Sequence, residues 1–146
     1  MSLILVKPTY LFNMNKNIAK IKKWIESEGY KLKVSNTDEV DYDKNQVTLC
    51  NSKNKTNMIY SLLHECGHIV TANKKSYGKK YRILNKANID NRHTKGKLYV
   101  YKQLQEEVEA WERGYKLSKK LGIVIDKDTY DKYAAKCFNT YIKYHG

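Results

Sequence analysis

The sequence predicts a single α+β domain in which one helix and a small sheet precede three further helices. Apolar residues recur at helical spacing in four segments, and apolar and polar residues alternate between the first and second of these. The 146 residues suffice for one hydrophobic core and not for two. Because the chain has no internal repeat, low-complexity segment or Pro/Gly-rich linker, we expect residues 1–146 to form one domain.

The N-terminal part is predicted to hold a helix and three short strands. The helix covers about residues 15–28, since Gly29 follows it as a stop. Alternating residues 30–34 predict the first strand, 40–42 a second, and 46–50 the returning strand after a turn. The apolar face of the helix consists of Ile18, Ile21, Trp24 and Ile25.

Three helices are predicted in the C-terminal part. The first spans residues 56–73 and is followed by a basic, glycine-punctuated segment, 74–97, that we expect to be mainly loop. A long helix over 98–121 ends before Gly122, and a last helix covers 126–144. The apolar side of the last helix consists of Tyr130, Tyr133, Ala134, Cys137, Phe138 and Tyr141.

The formal net charge of +13 raises the question of nucleic-acid binding. Of the 28 basic residues only Arg82, Arg92 and Arg113 are arginine, and the lysines are spread along the chain. Lysines distributed in this way attract phosphate non-specifically and recognise little of the base sequence. We therefore expect any contact with nucleic acid to be non-specific.

The apolar segments and the cysteines bear on localisation. No apolar run approaches the roughly 20 residues that cross a bilayer, and the apolar residues 3–6 are too few for a signal peptide. We therefore expect a cytoplasmic protein without membrane contact. Cys50, Cys66 and Cys137 form no C-x-x-C pair and indicate buried free thiols rather than disulfides or a four-cysteine zinc site.

An H-E-x-x-H motif, His64-Glu65-Cys66-Gly67-His68, lies inside the helix predicted over residues 56–73. Histidines four residues apart lie about 40° apart around a helix, so both imidazoles can bind one ion. Zn²⁺ accepts neutral imidazoles, and its catalytic sites use three protein ligands plus an open position. Glu65 is positioned to take a proton from water as the water attacks a carbonyl polarised by the metal. The motif predicts one zinc ion, with Glu65 as general base.

The helical arrangement separates the histidines from the apolar residues of this segment. On one side lie Met58, Ile59, Leu62, Leu63, Cys66, Ile69 and Val70. His64 and His68 fall opposite, among Asn57, Tyr60, Ser61 and Thr71. We therefore expect one buried face, with the histidines turned toward a polar groove. The alternative is a pair of ordinary surface histidines.

The long helix over 98–121 supplies a candidate third ligand. Its apolar stripe consists of Leu104, Val108, Trp111 and Tyr115. Glu107 lies about 70° from the centre of this stripe, at the border of the buried face. We expect Glu107 to reach the metal, and Glu106, Glu109 and Glu112 to be solvated. His93 is the rival third ligand, and His145 is expected at the surface.

These two motifs resemble those of the gluzincin zinc metallopeptidases. His64-Glu65-x-x-His68 followed by Glu107-x-x-Ala110 is similar to the pattern of the small minigluzincins and of the ImmA/IrrE-type peptidases of phages and mobile elements. The resemblance implies a zincin-like domain, a small antiparallel sheet before and over the active-site helix, and zinc bound by His64, His68 and Glu107. It also implies a protein or peptide substrate, including a regulatory protein such as a repressor. Trp111 departs from the pattern, because many relatives have an aspartate there that orients a ligating histidine.

Peptide hydrolysis also needs a donor that stabilises the tetrahedral oxyanion. Four residues between the two site helices are candidates, and nothing in the sequence selects among them: Tyr77, Tyr81, Arg82 and His93.

Two other functions fit parts of the sequence. A structural zinc module that binds nucleic acid would use the histidines together with Cys50 or Cys137 in closed four-ligand coordination. A peptidase scaffold used for protein recognition is the other, although the intact H-E-x-x-H motif argues against a degenerate site. The oligomeric state and the cleavage specificity are left open.

Overall fold

The computed structural model describes residues 8–73 and 96–145. Within these ranges the chain forms four helices and one three-stranded sheet, so the predicted α+β class is confirmed. In chain order the elements are α1 (Pro8–Ser27), β1 (Lys31–Ser35), β2 (Glu39–Asp41), β3 (Gln46–Cys50), α2 (Lys55–Asn73), α3 (Lys97–Lys120) and α4 (Lys127–His145). The loop predicted over residues 74–97 lies almost wholly outside the described residues.

The sheet is mixed, so the expectation of a wholly antiparallel sheet was wrong. β3 lies in the centre, with β2 antiparallel on one side and β1 parallel on the other. The chain reverses direction between β1 and β2 and again between β2 and β3, which returns β3 to the direction of β1. β3 takes the central position because it is the most apolar strand, with Val47 and Leu49 buried.

A tight turn joins β2 to β3, where the sequence predicts one. The Asp41 carboxylate accepts hydrogen bonds from the backbone N–H groups of Asp43 and Lys44, both at 3.0 Å. Asn45 has a φ of 51°, a left-handed conformation that asparagine tolerates better than most residues. The register of β2 on β3 follows from this turn.

Two compact units divide the chain, Met1–Leu62 and Leu63–Gly146, and the boundary falls within α2. In the first unit α1 contacts β1, and Ile21 and Ile25 of α1 are fully buried. α1 begins earlier than the predicted residue 15. Its first residue is Pro8, whose fixed φ and missing N–H suit the first turn of a helix.

The second unit contains the C-terminal part of α2 together with α3 and α4. α3 ends where Gly122 adopts a φ of 72° and the N–H of Ile123 donates to the carbonyl of Ser118 at 2.8 Å. α3 and α4 contact each other, and the Tyr130 hydroxyl donates to the backbone carbonyl of Trp111 at 2.6 Å. In the described ranges no helix has the length and apolarity needed to span a membrane.

Candidate metal centre

Two glycines let α3 approach the C-terminal part of α2 closely. A Cβ atom added at Gly67 would overlap the backbone carbonyl of Ala110, and one added at Gly114 would overlap the carbonyl of Leu63. Backbone therefore packs against backbone between the two helices. This contact places α3 beside the face of α2 that carries His64 and His68.

Glu107 of α3 bridges the two histidines of α2. His64 Nε2 lies 3.0 Å from Glu107 Oε2, and His68 Nε2 lies 3.2 Å from Glu107 Oε1. The two imidazole rings meet edge to face, with centroids 4.7 Å apart. The structure thus brings together the three residues that the sequence predicts as ligands, and it turns the same nitrogen of each ring toward one carboxylate.

Glu65 belongs to the same cluster. One donor atom of Glu65 lies within 4.8 Å of a ring nitrogen of each histidine, and these three residues form a group able to hold a metal ion. Glu65 Oε1 is 3.4 Å from His64 Nδ1. The residue is only 6% exposed, so its carboxylate is withdrawn from bulk water beside the histidines.

The charges of the cluster shift the pKa values of its members. Burial raises the pKa of Glu107, but hydrogen bonds from His64 and His68 outweigh it and the net pKa falls well below the usual range. Burial lowers the pKa of His64, but the contacts with Glu107 and Glu65 outweigh it and the net pKa is raised. The site therefore favours a negative carboxylate at Glu107 and a protonated His64 ring beside it.

Glu106 is buried in this structure, which corrects the expectation that it is solvated. It is 8% exposed, with Oε1 3.5 Å from His68 Nδ1 and Oε2 3.8 Å from Arg113 Nη1. Glu109, by contrast, is about one-third exposed at its side chain and pairs with Arg113 at 3.2 Å, while Glu112 is exposed as expected.

The solvated position predicted for Glu106 is wrong because the large apolar residues of α3 do not mark the face that packs against α2. The large apolar stripe faces α4: Val108, Trp111 and Tyr115 line a cavity of about 570 Å³ together with α4 residues such as Tyr130. The face against α2 instead carries the small residues Ala110 and Gly114, both buried. Glu106 precedes Ala110 by four residues, so it lies on the small-residue face. The four-residue spacing of Ala110 and Gly114 is the sequence feature that could have predicted the buried position of Glu106.

α2 is buried on both sides through its middle, whereas the sequence predicts a single buried face. Cys66 and Ile69 on the apolar side are fully buried. On the other side Thr71 is 1% exposed and His68 is 6% exposed. The polar side of α2 is covered because the carboxylates and the arginine of α3 supply partners for its polar groups.

Trp111 stacks on His64. Their ring centroids are 4.2 Å apart and their planes differ by 11°. Tyr130 and Tyr133 of α4 contact the indole edge to face at 5.6 and 6.0 Å. Trp111 Nε1 is buried and has no hydrogen-bond partner among the residues that the structure describes. The indole ring of Trp111 therefore holds the His64 ring by stacking.

The cysteines do not take part in this cluster. Cys66 is fully buried, and burial raises the pKa of its thiol well above the usual range. Cys50 ends β3 with its Sγ 2.9 Å from the Ser52 hydroxyl, and Cys137 is half-buried on α4. In the described part of the chain, the group able to hold a metal contains two histidines and a glutamate and no cysteine.

Several predicted residues have no described position. Tyr77, Tyr81, Arg82 and His93, the oxyanion candidates and the rival third ligand, lie outside the described residues. His145 is the last residue of α4, and its surface position stays a prediction.

The donor set fits a divalent cation. Two imidazoles converge on a carboxylate, and Glu65, Glu106 and Arg113 surround them, so carboxylates outnumber cationic side chains at this point of a chain with net charge +13. One buried carboxylate oxygen, Oε1 of Glu106, has no hydrogen-bond partner within the described ranges. Two histidines and one glutamate are a zinc ligand set that leaves a fourth position for water or substrate.

Comparison of the chain with family models, with curated proteins and with solved structures gave no match.

Proposed function

We propose that this chain is a zinc-dependent metallopeptidase of the gluzincin type. The observation that carries the proposal is the pairing of His64 Nε2 and His68 Nε2 with the two oxygens of Glu107, at 3.0 and 3.2 Å. Glu107 is 39 residues from His68 and 43 from His64 in the sequence, yet the donor atoms of all three converge in one small volume. Two surface histidines on an amphipathic helix would have no reason to share a buried carboxylate.

The three ligand residues suit zinc in both chemistry and orientation. Histidine and carboxylate are its usual ligands in catalytic sites, and three protein ligands leave one position open. The bound zinc would act as a Lewis acid that polarises a peptide carbonyl and lowers the pKa of a bound water molecule. His64, His68 and Glu107 would hold the ion, and the buried Trp111 ring would keep the His64 imidazole in place.

Glu65 carries the proton transfer in this proposal. Its carboxylate lies within 4.8 Å of both imidazoles and is nearly excluded from solvent. From there it accepts a proton from the attacking water and then donates it to the leaving amine. A structural zinc site has no need of a carboxylate beside the first histidine, so Glu65 favours hydrolysis over a nucleic-acid-binding zinc module.

The proposal extends to the fold and the partner. α2 and α3 are the two ligand-bearing helices of a zincin-like domain, and the substrate is a protein or peptide in the cytoplasm. A regulatory protein such as a phage or mobile-element repressor is the partner class that the motif resemblance favours. Incubation of candidate repressors with the protein, with and without chelator, tests this partner class through the appearance of chelator-sensitive fragments.

The function is tested by exchanging Glu65 for glutamine. Glu65→Gln keeps the size of the side chain and removes the base, so the variant should bind one zinc and lose about 10²- to 10⁴-fold in cleavage rate. Zinc content is measured by mass spectrometry of metals, and cleavage on a proteome-derived peptide library. Glu112→Gln, an exposed change on α3, is the matched control and should cleave like the wild type.

Two results would contradict the proposal. A wild-type protein that takes up no zinc removes the metal centre. A zinc-loaded protein that cleaves nothing in the library, or whose Glu65→Gln variant cleaves at the wild-type rate, removes the peptidase mechanism.

A further inference from the structure

We propose that Glu106, tethered by Arg113, is a positioning residue for His68. Its Oε1 accepts a hydrogen bond from Nδ1–H of the His68 ring, which leaves the Nε2 lone pair directed toward Glu107. This inference deepens the proposed function and rests on it, because it concerns the orientation of one of the proposed zinc ligands.

The geometry places the Glu106 carboxylate on the far side of the His68 ring from Glu107. His68 Nδ1 is 3.5 Å from Glu106 Oε1, and His68 Nε2 is 3.2 Å from Glu107 Oε1. The imidazole thus lies between two carboxylates, one at each ring nitrogen. A carboxylate at Nδ1 fixes the tautomer that presents Nε2 to a metal, and it makes that nitrogen more basic.

The burial of Glu106 favours a hydrogen bond between its carboxylate and His68. The residue is 8% exposed, and its Oε1 has no hydrogen-bond partner in the described part of the chain. An unsatisfied buried carboxylate oxygen destabilises the folded state, because it has lost its hydration and gained nothing in return. A proton on His68 Nδ1 satisfies this oxygen with a movement of a few tenths of an ångström.

Arg113 holds the other side of the Glu106 carboxylate. Its Nη1 lies 3.8 Å from Glu106 Oε2 and donates to the Thr71 hydroxyl at 2.5 Å. Thr71 in turn donates to the carbonyl of Gly67 on the same helix as His68. The guanidinium therefore connects the Glu106 side chain to α2 one turn beyond His68, which restricts the position of the carboxylate.

Glu106 is the carboxylate at Nδ1 of His68, as Glu65 is at Nδ1 of His64. Glu65 Oε1 is 3.4 Å from His64 Nδ1, and Glu106 Oε1 is 3.5 Å from His68 Nδ1. Each imidazole therefore has one carboxylate at Nδ1 and the shared Glu107 carboxylate at Nε2.

Zinc affinity tests the inference without relying on catalysis. We would measure it by competition with a chelator for the wild type, Glu106→Ala, Glu106→Gln and Glu109→Gln. Glu106→Ala should lose about 10- to 100-fold in affinity, the usual effect of removing the carboxylate behind a ligating histidine. Glu106→Gln should lose less, since its amide oxygen accepts the same hydrogen bond. Glu109→Gln is the matched control, because Glu109 contacts Arg113 and not His68, and it should bind zinc like the wild type.

A second measurement separates positioning from general destabilisation. In the zinc-loaded protein, NMR should detect the Nδ1–H proton of His68, shifted in Glu106→Gln and lost to exchange with water in Glu106→Ala. Should Glu106→Ala fail to fold, this resonance in Glu106→Gln decides the matter. Wild-type affinity in Glu106→Ala, or an unmoved resonance in Glu106→Gln, overturns the inference and leaves the proposed function standing. A wild-type protein without zinc uptake overturns both.

Discussion

Each histidine of α2 has a carboxylate near Nδ1, and His64 also has an aromatic ring stacked on it. His64 is stacked on the Trp111 indole, with ring centroids 4.2 Å apart, while His68 has the buried Glu106 carboxylate 3.5 Å from its Nδ1. Both turn Nε2 toward Glu107. Orientation by stacking depends on shape and burial, and orientation by a carboxylate depends on charge, so the two histidines should respond differently to substitution.

Trp111 provides a test of orientation by stacking. Trp111→Ala leaves a cavity beside His64 and should lower the free energy of unfolding by about 3–5 kcal/mol. Trp111→Phe keeps an aromatic face against the imidazole and should cost clearly less, because Trp111 Nε1 forms no hydrogen bond with any described residue. Chemical unfolding of both variants measures the difference. Equal losses would show that the indole N–H, and not the ring face, matters.

The sequence was sufficient to predict three residues of the cluster on α2 and Glu107 on α3. His64, Glu65 and His68 follow from one local motif, and Glu107 follows from its place at the border of the buried face. Glu106 and Arg113 were not predicted, because their burial depends on which side of α3 meets α2. That choice is made by the small residues Ala110 and Gly114, which leave room for backbone contact, and not by the large apolar residues that usually mark a core.

The contact between α2 and α3 depends on glycine at position 67. Gly67→Ala would gain up to about 1 kcal/mol of helix propensity, but its Cβ overlaps the carbonyl of Ala110. The overlap involves backbone, which cannot move aside as a flexible side chain can. The variant should therefore lose stability and zinc affinity together, as measured by thermal unfolding and chelator competition. Gln105→Ala, an exposed change on α3, should stay within about 0.5 kcal/mol of the wild type. A stabilised Gly67→Ala protein would contradict this packing.

The opposite face of α2 is tested by the reactivity of Cys66. The side chain is fully buried, and burial raises the pKa of its thiol, so little reactive thiolate exists near neutral pH. Cys66 should resist alkylation by iodoacetamide in the folded protein and react readily in denaturant, as followed by peptide mass spectrometry. Rapid labelling of Cys66 in the folded state would show that α2 does not bury this face.

The helices and strands agreed closely with their predicted bounds, except at the start of α1. Hydrophobic spacing and the turn residues gave the order of elements, since both are local properties. Strand pairing, by contrast, depends on contacts between distant residues. β3 pairs with both β1 and β2, so the parallel pairing with β1 could be predicted only by deciding which strand occupies the centre of the sheet. The apolar character of β3 decides that competition.

The charge of the whole chain contrasts with that of the site. The chain carries a net +13, yet acidic side chains surround the histidines. A diffuse excess of lysine should attract duplex DNA weakly and without regard to sequence. Fluorescence anisotropy with two unrelated duplexes should give equal affinities that fall together steeply as salt is raised, and Glu65→Gln should behave like the wild type. Strong preference for one duplex would point instead to a specific nucleic-acid interface.

The most direct test of the account is a crystal of the zinc-loaded protein measured at the zinc absorption edge. Anomalous scattering locates the ion independently of any assumption about its ligands. The account predicts one zinc peak bonded to His64, His68 and Glu107, with the fourth position open to water and Glu106 hydrogen-bonded to His68. A peak held by a cysteine in closed four-ligand coordination, or no peak near these three residues, would contradict it.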